Sequence, residues 1–177
     1  RVLFRSYKDL LKINQNWSLA FKLSNKIIKT VNKIQDTKTT VPLYTLFPEI
    51  SQGLIAYDSY QGQSKEIIKS RAYHYNNFEK ISLKKWLWGS DVTRYSISWN
   101  EQEWIDYCEG IANPRNPKFF IGDRILIREI TNPRIFAAIT NQELYHDPAI
   151  ITILKSNKFE LEILLALINR SEERRVG

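Results

Sequence analysis

The chain has 177 residues, of which 43% are hydrophobic and 25% are charged, and its net charge at pH 7 is +7. This size and composition are typical of one globular domain, which buries about 70% of its unfolded surface and folds without a disulfide or a metal. The single cysteine excludes an internal disulfide and favours the cytoplasm. No apolar run reaches the ~20 residues of a membrane span, so we expect no membrane partner.

The basic residues are spread along the chain rather than gathered in one block. A positive surplus of this kind favours a polyanion or an acidic surface as partner, and the even spread favours a folded basic face over a disordered arm. Charge alone does not distinguish DNA, RNA and anionic lipid. The chain also lacks methionine. We therefore expect residues 1–177 to be a single-domain fragment of a longer protein, with 1–15 a remnant of an upstream domain and 171–177 a ragged tail.

The first part of the chain predicts a strand and then a helix. Residues 16–21 alternate like a short strand, and Ser24 is placed to cap a helix over 25–36 whose apolar residues recur at helical spacing. Pro42 prevents the helix from continuing, and residues 43–48 are interpreted as a linker. A new unit then begins with a strand near 53–57.

A polar loop around Gly62 follows, and Ser64 is placed to cap a short helix over 65–70. Gln61 and Gln63 flank the glycine, where the backbone can approach a ligand closely. An ordinary solvated surface loop is the alternative interpretation of the same residues.

The segment 84–107 holds four of the five tryptophans. Within it, Gly89 predicts a compact turn that exposes Asp91 and Arg94. Flat aromatic rings beside basic groups indicate a surface that recognises a planar, anionic partner. A strand, a turn and a second strand whose tryptophans fill the core explain the same pattern, and both interpretations remain open.

The last part of the chain predicts a stiff proline loop over 113–118, two hairpin strands at 124–130 and 135–139, a strand at 149–154 and an amphipathic helix over 159–169. Strands and helices do not alternate regularly, which argues against a doubly wound sheet. The expected fold is α+β, with a curled, mostly antiparallel sheet, long loops and one helix near each end.

The sequence offers little that could carry out a reaction. Its six glycines form no G-x-G pair, so no glycine-rich nucleotide loop can be built. A metal nuclease requires an acid-x-Lys triplet on a strand. The one such triplet here, Asp36-Thr37-Lys38, follows a predicted helix instead. We expect His74 and His146 to be ordinary hydrogen-bonding residues and Cys108 to be a buried structural thiol. The carboxylates of Glu101, Glu103, Asp106 and Glu109 are expected to form a solvated face. No catalytic residue and no metal site are therefore predicted.

Residues 85–95 read Lys-Trp-Leu-Trp-Gly-Ser-Asp-Val-Thr-Arg-Tyr. This segment is similar to the L-x-G-K-D-I-x-R-Y segment of the TaqI-like C-terminal specificity domains, with Ser90 in place of the lysine. Domains of that family belong to adenine-specific DNA methyltransferases and to fused restriction-modification enzymes. Further similar segments occur in the expected order, at residues 50–57, 104–107, 114–115, 120–130, 137–145 and 164–169. The resemblance extends over about residues 17–171.

The resemblance implies a domain that clamps duplex DNA beside an N-terminal methyltransferase domain of the same parent chain. That catalytic domain would bind S-adenosylmethionine and rotate the target adenine out of the helix, while this chain needs no cofactor. The parent would be an adenine-specific DNA methyltransferase, with or without a fused endonuclease.

The candidate DNA contacts follow from side-chain chemistry, because arginine suits guanine and asparagine or glutamine suits adenine. The base-reading candidates are Gln61, Gln63, Ser90, Arg94, Asn113, Arg115 and Asn116. The phosphate-binding candidates are Lys65, Lys69, Arg71, Lys84, Lys118 and Arg128. Arg128 can instead pair with an acid across the sheet, and Asp91 is expected to order its turn rather than touch DNA. About six phosphate contacts predict a slope near −5 for log affinity against log salt.

Two other functions fit the same residues. The first is a protein-interaction module of a restriction or phage-defence assembly, with the tryptophan-rich surface as its hot spot. The second is binding of single-stranded nucleic acid through stacking on exposed aromatic rings.

Overall fold

The computed structural model describes residues 25–34, 38, 40–130 and 134–170. The chain divides into two compact units, Arg1–Thr45 and Leu46–Gly177. The predicted strand 16–21, the Ser24 cap, the tail 171–177 and the first two residues of the Asp36-Thr37-Lys38 triplet lie outside the described residues.

In the first unit, helix α1 spans Asn25–Ile34 and confirms the helix predicted there. Thr40 donates a hydrogen bond from its hydroxyl to the Ile34 carbonyl, 2.7 Å away, and so satisfies one of the carbonyls left open at the helix end. At the boundary of the units, Leu43–Leu46 forms the one-turn helix α2, where the sequence predicted a linker.

The second unit contains a four-stranded antiparallel sheet in the order β1-β10-β7-β8. Its strands are β1 Ile50–Gln52, β7 Arg124–Arg128, β8 Ala137–Thr140 and β10 Ile150–Leu154. The strands predicted near 124–130, 135–139 and 149–154 are thus confirmed. The strand predicted at 53–57 is displaced: β1 ends at Gln52, and Gly53 then passes so close to the main chain that a Cβ there would lie 2.0 Å from the Asp147 carbonyl oxygen.

Helix α4, Leu161–Ile168, covers this sheet and confirms the predicted terminal helix. Leu161 and Leu164 pack in a buried cluster with Ile125 and Ile153 of the sheet and with Phe47. Fully burying each such side chain stabilises the fold by about 1.5–3 kcal/mol, so this helix and sheet hold each other in place.

A second sheet runs in the order β2-β6-β3-β9. Its strands are β2 His74–Tyr75, β3 Leu83–Leu87, β6 Trp104–Asp106 and β9 Tyr145–His146. All its pairs are antiparallel except β3 with β9. A separate hairpin joins β4 Val92–Thr93 to β5 Ser96–Ile97. Leu87 and Val92 pack against Leu126 and Ile150, which links the second sheet and the hairpin to the first sheet.

The described residues confirm the α+β class and its mostly antiparallel pairing. The short helix α3, Lys65–Ser70, is also confirmed, with Ser64 accepting a hydrogen bond from the Ile67 N–H. None of the helices within the described ranges has the length and apolar character that a membrane span requires.

The tryptophans of segment 84–107 are divided between the core and the surface. Trp86 is only 2% exposed and lies in the core of the second sheet, as the packing interpretation requires. Trp88, Trp99 and Trp104 are half-buried and keep part of each ring at the surface. The prediction for Cys108 was wrong, because this thiol is exposed. It lies in the turn after β6, and the chain buries Ile111 there instead.

Candidate nucleic-acid interface

Three arginines gather around a concavity of about 340 Å³ beside the start of β8 and the end of α4. We call it the arginine concavity, and it is lined by Arg94, Arg134, Ile135, Phe136, Ile168, Asn169 and Arg170. The lining residues within the described ranges include no carboxylate. The Arg128 guanidinium lies 6.0 Å from the centre of the Phe136 ring and so borders the same surface.

Asn169 fastens the two elements that form this concavity. Its side-chain oxygen accepts from the Ala137 N–H at 3.0 Å, and its amide nitrogen donates to the Ala137 carbonyl at 2.8 Å. The end of α4 is thereby attached to the first residue of β8. On the other side, the Tyr95 N–H donates to the same carbonyl at 2.9 Å, which brings the β4–β5 hairpin and its Arg94 to that strand.

A second depression, of about 230 Å³, lies among aromatic rings of the second sheet. We call it the aromatic pocket, and it is lined by Leu54, Ile55, Ala56, Tyr57, Arg71, His74, Trp86, Trp88, Asp147 and Pro148. The Arg71 guanidinium lies 5.2 Å from the centre of the Trp88 ring, and the Trp88 ring stacks on His74 with centres 5.9 Å apart.

The Gly62 loop is built by its own hydrogen bonds. Gln63 donates to the carbonyls of Ala56 and Gly110 at 3.0 and 2.7 Å and accepts from the Asp58 N–H at 2.9 Å. Its amide therefore braces the loop against the chain near Gly110. Gln61, by contrast, is exposed beside Gly62, as are Lys65 and Lys69 on the following helix.

The start of the proline loop lies close to the Gly62 loop, because Asn113 pairs with Ile55 in an isolated antiparallel bridge and Gln63 donates to the Gly110 carbonyl. Arg115 donates to the Asn113 side-chain oxygen at 2.5 Å, so these two candidates form one unit. The side chain of Asn116 caps the next turn by accepting from the Lys118 N–H at 3.0 Å.

The other sequence candidates are distributed more widely. Lys84 pairs with Glu143 at 2.8 Å, and Lys118 pairs with Glu49. Ser90 is exposed on the Gly89 turn. The Asp91 carboxylate accepts from the Trp88 N–H at 2.7 Å, which confirms that Asp91 orders this turn.

Both histidines make the hydrogen bonds predicted of them. His146 is fully buried, with its Nδ1 3.2 Å from the Asp147 carbonyl and its Nε2 2.8 Å from the Thr152 hydroxyl. The carbonyl can only accept, so Nδ1 carries the proton and Nε2 accepts from Thr152. Burial lowers the pKa of each histidine to about 4, and the charges of Arg124 and Arg71 contribute to the lowering for His146 and His74 respectively.

The structure thus brings the candidates together in separate places: Arg94 and Arg128 at the arginine concavity, Arg71 at the aromatic pocket, and the Gly62 and proline loops beside each other. Sequence reasoning missed Arg134 and Arg170. The signal for Arg170 was its position after Asn169, within the segment that resembles the end of the specificity domains. For Arg134, which follows Pro133 in the turn between two predicted strands, only that turn position was available.

Comparison with known proteins gives one informative result. A search of curated proteins finds no match. The family model of the TaqI-like C-terminal specificity domain matches residues 84–172, which is half of the chain and includes the arginines of the concavity. Specificity domains of this kind recognise DNA on behalf of methyltransferases. The chain therefore belongs to the TaqI-like C-terminal specificity domain family.

Proposed function

We propose that this chain recognises a specific sequence in duplex DNA and so positions an adenine for a separate catalytic domain of a methyltransferase. That domain would bind S-adenosylmethionine and transfer its methyl group, and this chain would supply affinity and register. The observation that carries the proposal is the gathering of Arg94, Arg134 and Arg170 in one concavity, within the segment that matches the specificity domain.

The chemistry of the arginine concavity suits a phosphate backbone. A guanidinium offers a planar pair of donors to two phosphate oxygens and stays charged at all working pH values. The described residues that line the concavity include three arginines and no carboxylate, so positive charge predominates among them. Phosphate contacts set the position and register of a protein on DNA without reading its sequence.

Base reading falls to the exposed loops. Gln61 and the paired Asn113 and Arg115 lie on the neighbouring Gly62 and proline loops. The hydrogen bond that Arg115 donates to the Asn113 side-chain oxygen orients its guanidinium. A pre-oriented guanidinium loses less conformational entropy when it binds guanine. Gln63 is assigned to loop structure instead, because both its donors and its oxygen already bind the main chain.

Salt dependence of duplex binding tests the proposal. Affinity of the protein for a short duplex is measured by fluorescence anisotropy between 50 and 200 mM salt, in the chain with its catalytic domain attached, and single-stranded DNA of the same sequence is the comparison. Arg94→Gln should weaken binding and reduce the slope by about 0.9, the value of one phosphate contact. Lys155→Gln is the matched control: it removes the same charge from an exposed pair with Asp123 and should leave the slope unchanged. Equal slopes for both variants, or equal affinity for single strands, would contradict the proposal.

A different surface favours a second function, protein interaction. Ile81 is 93% exposed and Phe78 is 55% exposed, and the Phe78 ring lies 4.7 Å from that of Trp104. Together with Leu83, they line a shallow concavity of about 440 Å³. If this surface binds a partner protein, Ile81→Asp should abolish the association without altering the salt slope for DNA.

A further inference from the structure

Two residues that line the aromatic pocket each have a buried polar atom with no hydrogen-bond partner, Nε2 of His74 and Oδ1 of Asp147. Leaving such atoms unpaired costs about 1–3 kcal/mol each, so a site that contains two of them is primed for a ligand that pairs with both.

The hydrogen bonds around His74 determine whether its Nε2 atom is a donor or an acceptor. The Tyr57 hydroxyl oxygen accepts from the Tyr73 N–H at 2.9 Å, which directs its own hydrogen to Nδ1 of His74, 2.8 Å away. Neutral His74 then carries its proton on Nε2 and presents a donor. Asp147 presents an acceptor through Oδ1. Once uncovered, these two atoms would provide one donor and one acceptor beside flat aromatic rings.

The acidic groups around Asp147 disfavour a phosphate on that side of the pocket and favour a neutral ligand there. The Asp147 carboxylate lies within electrostatic reach of Asp91 and Glu129, and burial together with these charges raises its pKa to about 6. A phosphate placed against this group of acids would be repelled. A neutral planar ring that donates one hydrogen bond and accepts another meets no such penalty.

Arg71 is held at the rim in a conformation that costs energy. Its backbone is left-handed, with φ 52°, and its N–H bonds to the carbonyls of Ile67 and Ile68 at the end of α3. The left-handed conformation costs a non-glycine residue about 1–2 kcal/mol. It places the guanidinium over Trp88, where it can contact a phosphate next to a ring that has entered the pocket.

We propose that the aromatic pocket receives one extrahelical nucleobase of bound DNA, stacked on Trp88 and hydrogen-bonded to His74 and Asp147. The inference rests on the proposed DNA binding. The volume of about 230 Å³ is below the ~300 Å³ at which drug-sized pockets begin, which suits one base rather than a whole nucleotide. Because both polar atoms are buried, admission of a base requires the half-buried Trp88 ring to move.

Duplexes that already contain an unpaired base test the pocket, since they need no energy to unpair it. The probes share one sequence and are fully paired, bulged by a single adenine or cytosine, or bulged by an abasic sugar. The protein with its catalytic domain attached should bind the base-bearing bulge about tenfold more tightly than the abasic bulge, from stacking on an aromatic ring. The abasic probe separates recognition of the base from the flexibility of bulged DNA.

Trp88→Leu should abolish the difference in affinity between the base-bearing and the abasic bulge. Trp99→Leu is the matched control, a half-buried tryptophan that does not line the pocket, and it should keep the preference. In unmodified protein, the Nε2–H signal of His74 should shift in NMR spectra with the base-bearing bulge. His146, whose ring nitrogens both bond inside the protein, is the internal reference.

Free adenosine or cytidine at millimolar concentration identifies the source of the base. A His74 shift with both the nucleoside and the bulge supports the pocket, and a shift with the nucleoside alone refutes delivery from DNA. Normal binding of paired DNA with equal affinity for base-bearing and abasic bulges refutes the pocket and leaves the proposed function standing. Failure to bind any duplex overturns both.

Discussion

Lowering the pH from 7 to 5 should reduce the free energy of unfolding of the second unit by about 3 kcal/mol, because two neutral histidines are held in its interior. His74 and His146 have a pKa of about 4 in the folded chain, against an ordinary value of 6.5. The unfolded chain therefore binds more protons between pH 6.5 and pH 4. Stability from these groups is complete above pH 6.5 and is lost as the pH falls through this window.

The size of this loss also depends on the Asp147 carboxyl group, whose titration has the opposite effect on stability. At pH 5 each histidine lowers the free energy of unfolding by about 2 kcal/mol, and the two together lower it by about 4 kcal/mol. Asp147 acts in the other direction, because its pKa is raised from 3.8 to about 6 and the folded state binds its proton first. Protonation of Asp147 raises the free energy of unfolding by about 1 kcal/mol at pH 5, so the net loss is about 3 kcal/mol.

Urea denaturation followed by tryptophan fluorescence at pH 7, 6 and 5 measures this loss directly. Asp147→Asn isolates the opposing group. Because this carboxyl group is partly exposed and solvent screens it, the substitution should raise stability at pH 7 by only about 1 kcal/mol, and it should increase the loss at pH 5 to about 4 kcal/mol. Asp123→Asn, in an exposed carboxylate paired with Lys155, is the control and should change neither value. A free energy of unfolding that stays constant from pH 7 to pH 5 would refute the buried neutral histidines.

Two further predictions concern positions that shape the fold around the sites. Gly53→Ala should lower the free energy of unfolding by more than about 4 kcal/mol, because its Cβ would lie 2.0 Å from the main-chain oxygen of Asp147. Gly62→Ala should lower it by only about 1 kcal/mol, because φ is +82° there and no atom lies within 4 Å. Equal urea midpoints for the two variants would contradict this prediction. Asn169→Ala should lower stability by about 2 kcal/mol in thermal unfolding, because it leaves the buried Ala137 N–H without its partner, and an unchanged melting temperature would show that the link between α4 and β8 is dispensable.

The sequence predicted the elements that are determined locally. Helix α3 begins after Ser64 because a serine side chain can cap it there, and β7 reads as a strand because its β-branched residues need a pleated surface. Strands β2 and β9 have two residues each, and pairing with distant segments rather than a pattern of their own defines them. The parallel pairing of β3 with β9 joins segments far apart in sequence and leaves no local signal.

The sites were less predictable than the helices and strands, because they too form from residues that are far apart in the sequence. Arg94, Arg134 and Arg170 lie far apart in the sequence, and the bonds of Asn169 and Tyr95 to Ala137 bring the elements that carry them together. Composition can count arginines but cannot show which of them share a surface. A polar loop residue such as Gln63 reads as a candidate for base contact until its main-chain partners are known.

The Gly89 turn connects the two surfaces that we assign to DNA. Trp88, just before the glycine, is a wall of the aromatic pocket, and Arg94, shortly after it, lines the arginine concavity. The Asp91 carboxylate fixes the turn by accepting from the Trp88 N–H, and Gly89 itself passes so close to Ala149 that a Cβ would approach the alanine Cβ to 3.0 Å. Under the two proposals, the concavity would attract phosphate whereas the acids around Asp147 would repel it. A DNA backbone bound at the concavity would then set the position from which a base could reach the pocket.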